Sequence, residues 1–289
     1  MKEITILSGK GGTGKTSITA ALASIAKNAI YCDNDVDAAN LHLIFQPEIY
    51  EKNRFSSGLK ATIDANKCSK CGLCIELCRF DAISINGAGE FKINPFQCEG
   101  CRLCERICPQ NAISTQRNDN NFWYVSSTRF GTLIYAKMAP GEENSGKLVT
   151  QVRKKAKEIA NETGINYIIN DGPPGIGCAA IASLAGTNIA VIVTEPTKTG
   201  LHDLQRLVEL IQSFNIPAYV IINKFDINPD ITISIRDYLK KQDIPLIAKI
   251  PFNKLMVEAM IEGKNIIEFS PDSRISELVR EIWHKVETA

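Results

Sequence analysis

The 289-residue sequence predicts an α/β fold: a mostly parallel sheet covered by helices on both faces, interrupted by a small α+β insert. Three observations lead there. A glycine-rich run at residues 9–16 stands between an apolar strand pattern and a helical one. Four short Ile/Val-rich runs recur in the C-terminal half with helical periodicity between them, as strands buried on both faces of a parallel sheet require. Eight of the ten cysteines fall between Cys68 and Cys108, which marks a separate module.

The elements follow in order. Residues 2–7 read as a strand, residues 9–15 as a loop, and a helix runs from Thr16 toward Lys27, before a second strand at 29–32. Residues 63–84 then superpose without gaps on residues 93–114. All four cysteines match, together with Ile63/Ile93, Leu73/Leu103, Ala82/Ala112, Ile83/Ile113 and Ser84/Ser114. Two copies are too few for a solenoid, so a duplicated module with a pseudo-twofold axis is expected. Asn86-Gly87-Ala88-Gly89 separates the halves with turn composition.

From about Gln116 the α/β pattern returns. Strands are expected at 122–126 and 133–138 around a turn at 129–131, and a helix at 148–160. Strands at 167–170, 189–193, 218–222 and 246–250 alternate with helices, as right-handed βαβ units require. The last helix carries Ile275, Leu278, Val279, Ile282, Trp283 and Val286 on one stripe, which is expected to pack on the sheet. The domains are therefore expected as 1–58 with 118–289 for the core, and 59–117 for the insert.

Composition narrows the function. Lys+Arg number 33 and Asp+Glu 32, so no bulk charge draws the chain to nucleic acid or anionic membrane, and no nucleic-acid partner is expected. No apolar run approaches the ~18–20 residues of a membrane span. The first residues enter a strand directly, without the pattern of a signal or transit peptide. A cytoplasmic protein without a membrane anchor is expected. Clustered cysteines in that compartment point to metal or redox chemistry rather than disulfides.

Gly9-Lys10-Gly11-Gly12-Thr13-Gly14-Lys15-Thr16 matches G-x-x-x-x-G-K-[ST], in the strand–loop–helix setting that a P-loop needs. The expected ligand is ATP or ADP with Mg²⁺. Backbone N–H groups of Gly11, Gly12, Thr13 and Gly14 converge on phosphate oxygens, helped by the helix N-terminus, with Ser17 beside them. Lys15 is expected to bridge the β- and γ-phosphates, and the Thr16 hydroxyl to ligate Mg²⁺.

With Lys10 included, the motif resembles the deviant Walker A motif of the MinD, ParA and Mrp-type P-loop ATPases, which the nitrogenase iron protein shares. The resemblance covers essentially the whole chain outside the insert. It implies that Lys10 reaches across a nucleotide-sandwich homodimer formed with ATP. Asp33-Asn34-Asp35-Val36-Asp37-Ala38-Ala39-Asn40-Leu41 resembles the family's switch I. By that match Asp35 orients the attacking water and Asp33 lies near the metal. Asp171-Gly172-Pro173-Pro174-Gly175 resembles Walker B and switch II, with Asp171 holding Mg²⁺. Asn223 matches the adenine-recognising position, and Pro251 a loop that packs against the base.

Cys68-x2-Cys71-x2-Cys74-x3-Cys78 and Cys98-x2-Cys101-x2-Cys104-x3-Cys108-Pro109 each match the bacterial ferredoxin run. In that run three cysteines hold one cube and the fourth ligates the other. Two [4Fe–4S] clusters are expected, one on Cys68, Cys71, Cys74 and Cys108, the other on Cys98, Cys101, Cys104 and Cys78. Two four-cysteine zinc sites are the alternative. Arg79 stands where the first run would have proline. Cys32 is expected in the core. Cys178 is expected to be structural, since residues 141–146 hold no second cysteine to match the nitrogenase iron protein's cluster pair.

The architecture resembles MinD-type ATPases with an inserted ferredoxin domain. The expected function is an ATPase whose nucleotide state is coupled to electron transfer through the two clusters, with a redox partner; a positioning or assembly ATPase acting on a cargo protein, with the clusters as redox sensor or structural element, and an iron–sulfur carrier are the alternatives. The insert follows switch I and precedes the Asp171 strand in sequence, which favours coupling between module and nucleotide site.

Overall fold

The computed structural model describes residues 1–56, 58–119, 121–138 and 145–289. Residues 141–144, part of the segment compared with the nitrogenase iron protein, lie outside them. In chain order the elements begin β1 (Lys2–Ser8), α1 (Lys15–Ala23), β2 (Ala29–Asp33), α2 (Leu41–Phe45) and β3 (Glu48–Phe55). Next come β4 (Leu59–Ile63), α3 (Leu73–Glu76), β5 (Ile83–Ile85), β6 (Phe91–Ile93), α4 (Leu103–Ile107) and β7 (Ile113–Arg117). Then follow β8 (Asn121–Thr128), β9 (Gly131–Lys137), α5 (Ser145–Thr163), β10 (Tyr167–Pro174), α6 (Cys178–Leu184), β11 (Ile189–Thr194) and α7 (Lys198–Ser213). The chain closes with β12 (Ala218–Asn223), α8 (Pro229–Lys241), β13 (Leu246–Ile250), α9 (Leu255–Ile261), α10 (Ile266–Phe269) and α11 (Arg274–Thr288).

The chain forms two compact units. The first comprises Met1–Lys52, Trp123–Lys137 and Gly146–Ala289. Its sheet has the order β13-β12-β11-β1-β10-β2-β9-β8-β3. The pairs β13–β12, β12–β11, β11–β1, β1–β10, β10–β2 and β2–β9 are all parallel. Strand side chains alternate between faces, so β1 sends Ile4 and Ile6 into one core and Leu7 into another. The first core packs α1 and the α11 stripe of Ile275, Val279, Ile282 and Val286 on the sheet. The second packs Leu204, Leu207 and Ile211 of α7 and Ile235 and Leu239 of α8 on the opposite face. An α/β P-loop fold with helices on both faces follows.

Several features differ from the sequence-based expectation: β10 runs on through Asp171 to Pro174 instead of ending at 170, and α2 was not anticipated. α1 stops at Ala23 rather than near Lys27: Ser24 and Ile25 turn out through i→i−3 bonds to the Ala21 and Leu22 carbonyls, and Asn28 (φ 58°) then leads the chain into β2. β3 was not expected at all: Glu48–Phe55 is mostly polar and half exposed, with none of the apolar run that marks the central strands.

The second unit comprises Asn53–Phe122 and Met138–Ser145. Its two halves exchange strands. β4 of the first half pairs antiparallel with β7 of the second, Ile63 opposite Ile113. β5 of the first half pairs antiparallel with β6 of the second, Ile83 opposite Ile93. Ile83, Ile113, Ala82 and Ala112, each at matching repeat positions, are buried between them.

Candidate functional site

The β1–α1 loop sits at the C-terminal ends of the parallel strands, where open α/β sheets bind ligands. Its glycines have local reasons. Gly14 has φ 88°, and a Cβ there would strike the Asn223 side-chain amide. A Cβ on Gly9 would lie 2.5 Å from the Asp203 Cβ of α7. The backbone can therefore wrap closely only without side chains.

Lys15 is buried, and its Nζ lies 2.9 Å from Asp171 Oδ1. Thr16 Oγ1 donates to Asp171 Oδ2 at 2.7 Å, and Thr19 Oγ1 lies 3.0 Å from both Asp171 Oδ1 and the Lys15 carbonyl, two acceptors for its one proton. Asp171 thus collects the lysine, the metal-binding threonine expected from the motif, and Thr19, which sequence reasoning missed. Thr19 lies four residues past Lys15 on α1, so helical spacing was the available signal. The Thr13 Oγ1 is buried without a hydrogen-bond partner. Ser17 Oγ contacts Met260 Sδ of α9 at 3.0 Å.

Parallel pairing sets Asp33, the last residue of β2, opposite Asp171 inside β10. Asp33 Oδ1 accepts from the Asp35 N–H at 3.2 Å and Oδ2 from the Leu41 N–H at 2.9 Å, so this carboxylate closes the switch I loop. Burial, then the neighbouring Asp171 charge, push the Asp33 pKa up to about 8. Asp35 is half-buried; burial raises its pKa, against the nearby Lys15 charge. Asn34, between them, is fully buried, and neither side-chain atom has a partner.

The other expected residues are placed as follows. Asn223 donates to the Thr13 carbonyl at 2.8 Å, and its Oδ1 accepts from the Lys224 N–H. Pro251 is half-buried just past β13. Lys10 turns back onto its own chain, with Nζ 2.7 Å from Glu195 Oε1. Lys224 Nζ reaches Glu195 Oε2 at 3.0 Å and the Gly12 carbonyl at 3.0 Å. Burial alone would raise the Glu195 pKa; hydrogen bonds from Lys10 and Lys224 more than offset it and hold the group below its ordinary value. Glu195 was not anticipated from sequence, although it stands directly after strand β11, at the ligand-binding end of the sheet.

In the second unit, Cys68, Cys71, Cys74 and Cys108 line one cavity with Ile63, Leu73, Phe91, Pro109 and Ile113. Cys78, Cys98, Cys101 and Cys104 line another with Ala61, Phe80, Ile83 and Ile93. The strand exchange brings the fourth cysteine of each run to the other run's cavity. Burial pushes the Cys104 thiol up to about 11; the Glu105 N–H opposes the shift, and Cys98, Cys101 and Cys78 add to it. The Ala112 N–H donates to Cys108 Sγ at 3.3 Å. Among the described residues no three His, Cys, Asp or Glu side chains converge as a single metal ion requires. Cys32 is buried, and Cys178 is exposed at the start of α6.

The profile of the CobQ/CobB/MinD/ParA nucleotide binding domain matches residues 4–266. An uncharacterized protein of Methanocaldococcus jannaschii is 35% identical over 98% of this chain and 96% of its own length. The septum site-determining protein MinD of Bacillus subtilis is 23% identical over 98% of this chain and 88% of its own. The solved MinD of Pyrococcus horikoshii, complexed with Mg-ADP, superposes with a TM-score of 0.60 at 19% identity, over 99% of this chain and 95% of that one. The chain belongs to the CobQ/CobB/MinD/ParA family of nucleotide-binding domains.

Proposed function

We propose that the chain is a Mg-ATP-dependent ATPase of the MinD/ParA type, which dimerises around ATP and acts on a protein cargo or partner. The observation that carries this reading is the Lys15–Thr16–Asp171 cluster, where the start of α1 meets β10. A lysine, a hydroxyl and a carboxylate meeting beside a glycine-rich loop form the donor set for a nucleotide's phosphates and their Mg²⁺. Mg²⁺ on Thr16 and Asp171 would neutralise phosphate charge; Asp33 is nearby but committed to the switch I loop. Gly11, Gly12, Thr13, Gly14 and Ser17 would hold the phosphates. Lys15 would exchange Asp171 for a phosphate. Asp35 would orient the attacking water, and Lys10 would reach the partner protomer's nucleotide. Asn223 and Pro251 lie where they could face the base.

The cysteine cavities support a second component: a ferredoxin-like module at 59–117 holding two [4Fe–4S] clusters. Four cysteines share each cavity without converging on one point. The duplicated x2-x2-x3 spacing, with the fourth cysteine of each run lining the other run's cavity, fits a polynuclear cluster better than zinc. Such clusters supply one-electron chemistry when bound. The likeness to MinD proteins favours clusters that sense redox state or support the module over clusters through which ATP gates electron transfer. A carrier role is weakest, because each cavity already provides four thiols.

Sizing of Asp35→Ala with saturating Mg-ATP tests the first component. A dimer is expected, and a strictly monomeric profile would sink the sandwich reading. Anaerobic protein should hold about eight irons and eight sulfides per chain, as two cubes require. Zinc in their place would remove the second component.

A further inference from the structure

Lys10 is the residue whose reach sets this motif apart from an ordinary P-loop, and it is docked in cis. Its ammonium meets three oxygens, two from the loop after β11 and one from the first turn of α7: Glu195 Oε1 at 2.7 Å, Thr197 Oγ1 at 3.2 Å and Thr199 Oγ1 at 3.4 Å. An ammonium has three donors, so the β11–α7 loop and the start of α7 together saturate it. We propose that Glu195, with Thr197 and Thr199, forms a storage cradle that holds Lys10 on its own protomer and opposes ATP-driven dimerisation until the lysine is released. The inference rests on the reading of Lys10 as the group that reaches the partner's nucleotide.

The cradle is constructed to let go. Glu195 accepts Lys10 on one oxygen and Lys224 on the other, at 3.0 Å. When Lys10 leaves, Glu195 keeps a cation, so no carboxylate is stranded unpaired. Thr197 keeps its role as the N-cap of α7, accepting the Gly200 N–H at 2.9 Å. Lys10 itself is 30% exposed in its side chain, so water can take over its hydrogen bonds. The Lys15–Asp171 pair contrasts with this. Its side chains are 6% and 1% exposed, and separating them would leave a buried charge without a partner. Of the two P-loop lysines, only Lys10 can swing out at low cost.

The cradle also touches the phosphate loop. Lys224 sits in a left-handed conformation (φ 54°) and donates to the Gly12 carbonyl at 3.0 Å. Ser8 Oγ donates to the Lys10 carbonyl at 2.8 Å and fixes the backbone from which the lysine swings. Glu195 is therefore a positioning residue: it acts through Lys10 and touches no phosphate itself.

The test uses the full chain in an Asp35→Ala background, so that ATP persists. The dimerisation midpoint is measured by sedimentation with saturating Mg-ATP, with and without Glu195→Gln. In parallel, nucleotide-free protein is treated with a small acylating reagent, and Lys10 modification is followed by mass spectrometry. Glu195→Gln should dimerise at about two- to fivefold lower protein concentration, the scale of one partly exposed ion pair. It should also acylate faster at Lys10. Thr199→Val should move both readouts the same way by less. Lys224→Met leaves Glu195 to Lys10 alone, so acylation should stay level or slow. An unchanged or higher midpoint in Glu195→Gln overturns the proposal, as does Lys10 acylation that is unaffected by Glu195→Gln or accelerated by Lys224→Met. If the Asp35→Ala parent stays monomeric, the dimer reading falls instead, and the acylation comparison alone decides whether the cradle exists.

Discussion

Replacing Lys15 with methionine removes the cation and keeps most of the side chain's volume. In the nucleotide-free protein this leaves Asp171 with at most two hydroxyl donors, Thr16 and Thr19, while Asp33 sits opposite in the next strand. Both carboxylates are essentially inaccessible to water. Removing one partner of a buried pair costs about 3–5 kcal/mol, which at ~2–4 °C per kcal/mol lowers the thermal midpoint by roughly 6–20 °C. The penalty should grow as pH rises above about 8, because Lys15 helps to lower the Asp33 pKa, and without it the ionisation of Asp33 beside Asp171 costs more. Circular dichroism melts of metal-free, nucleotide-free protein at pH 6 and pH 9 would measure both effects. A midpoint that is unchanged or raised in Lys15→Met would refute the reasoning, since it would mean that the buried pair does not exist without nucleotide.

Three further outcomes follow from other contacts. The Asp33 pKa lies above its ordinary value of 3.8, at about 8. Its contribution to stability is therefore fully present below about pH 3.8 and lost as pH rises through about 8; melts of metal-free Asp33→Asn should lack that decline. Arg129, in the β8–β9 turn, grips Glu268 through two nitrogens at 2.6 and 3.0 Å and donates to the Phe45 and Gly263 carbonyls. Arg129→Ala should cost roughly 1–2 kcal/mol, discounted for partial exposure, and urea unfolding measures it. Of the two proposed clusters, Cys78→Ala should lose mainly the one assigned to Cys98, Cys101 and Cys104, since Cys78 lines their cavity; preferential loss of the other, by iron content and electron paramagnetic resonance, would reverse the assignment.

The central fold was legible because its strands bury both faces. β11, for example, is Ile189–Thr194 with every residue buried, and such a run has one natural place in a parallel sheet. β3 was not legible, since its polar sequence is tolerated only in the particular sheet position that tertiary structure provides. Within the site, local spacing marked Lys15 and Thr16, and an expected strand end marked Asp171. Glu195 escaped notice because its partners are remote: it lies 185 residues from Lys10, and nothing local announces an ion pair between two loops. Asn223 shows the same limit. Its position after a strand was visible, but its bond to the Thr13 carbonyl exists only once β12 is placed beside β11 and the phosphate loop.

Phosphate release from Mg-ATP by the full chain, compared between the natural sequence and Lys15→Met, tests the central claim most directly. The described residues offer no arginine identified as a catalytic finger, so unassisted turnover of ~10⁻⁴ to 10⁻² per second is expected for the natural chain, and none above background for Lys15→Met. Hydrolysis that survives in Lys15→Met would contradict the assignment of this loop as the ATPase site.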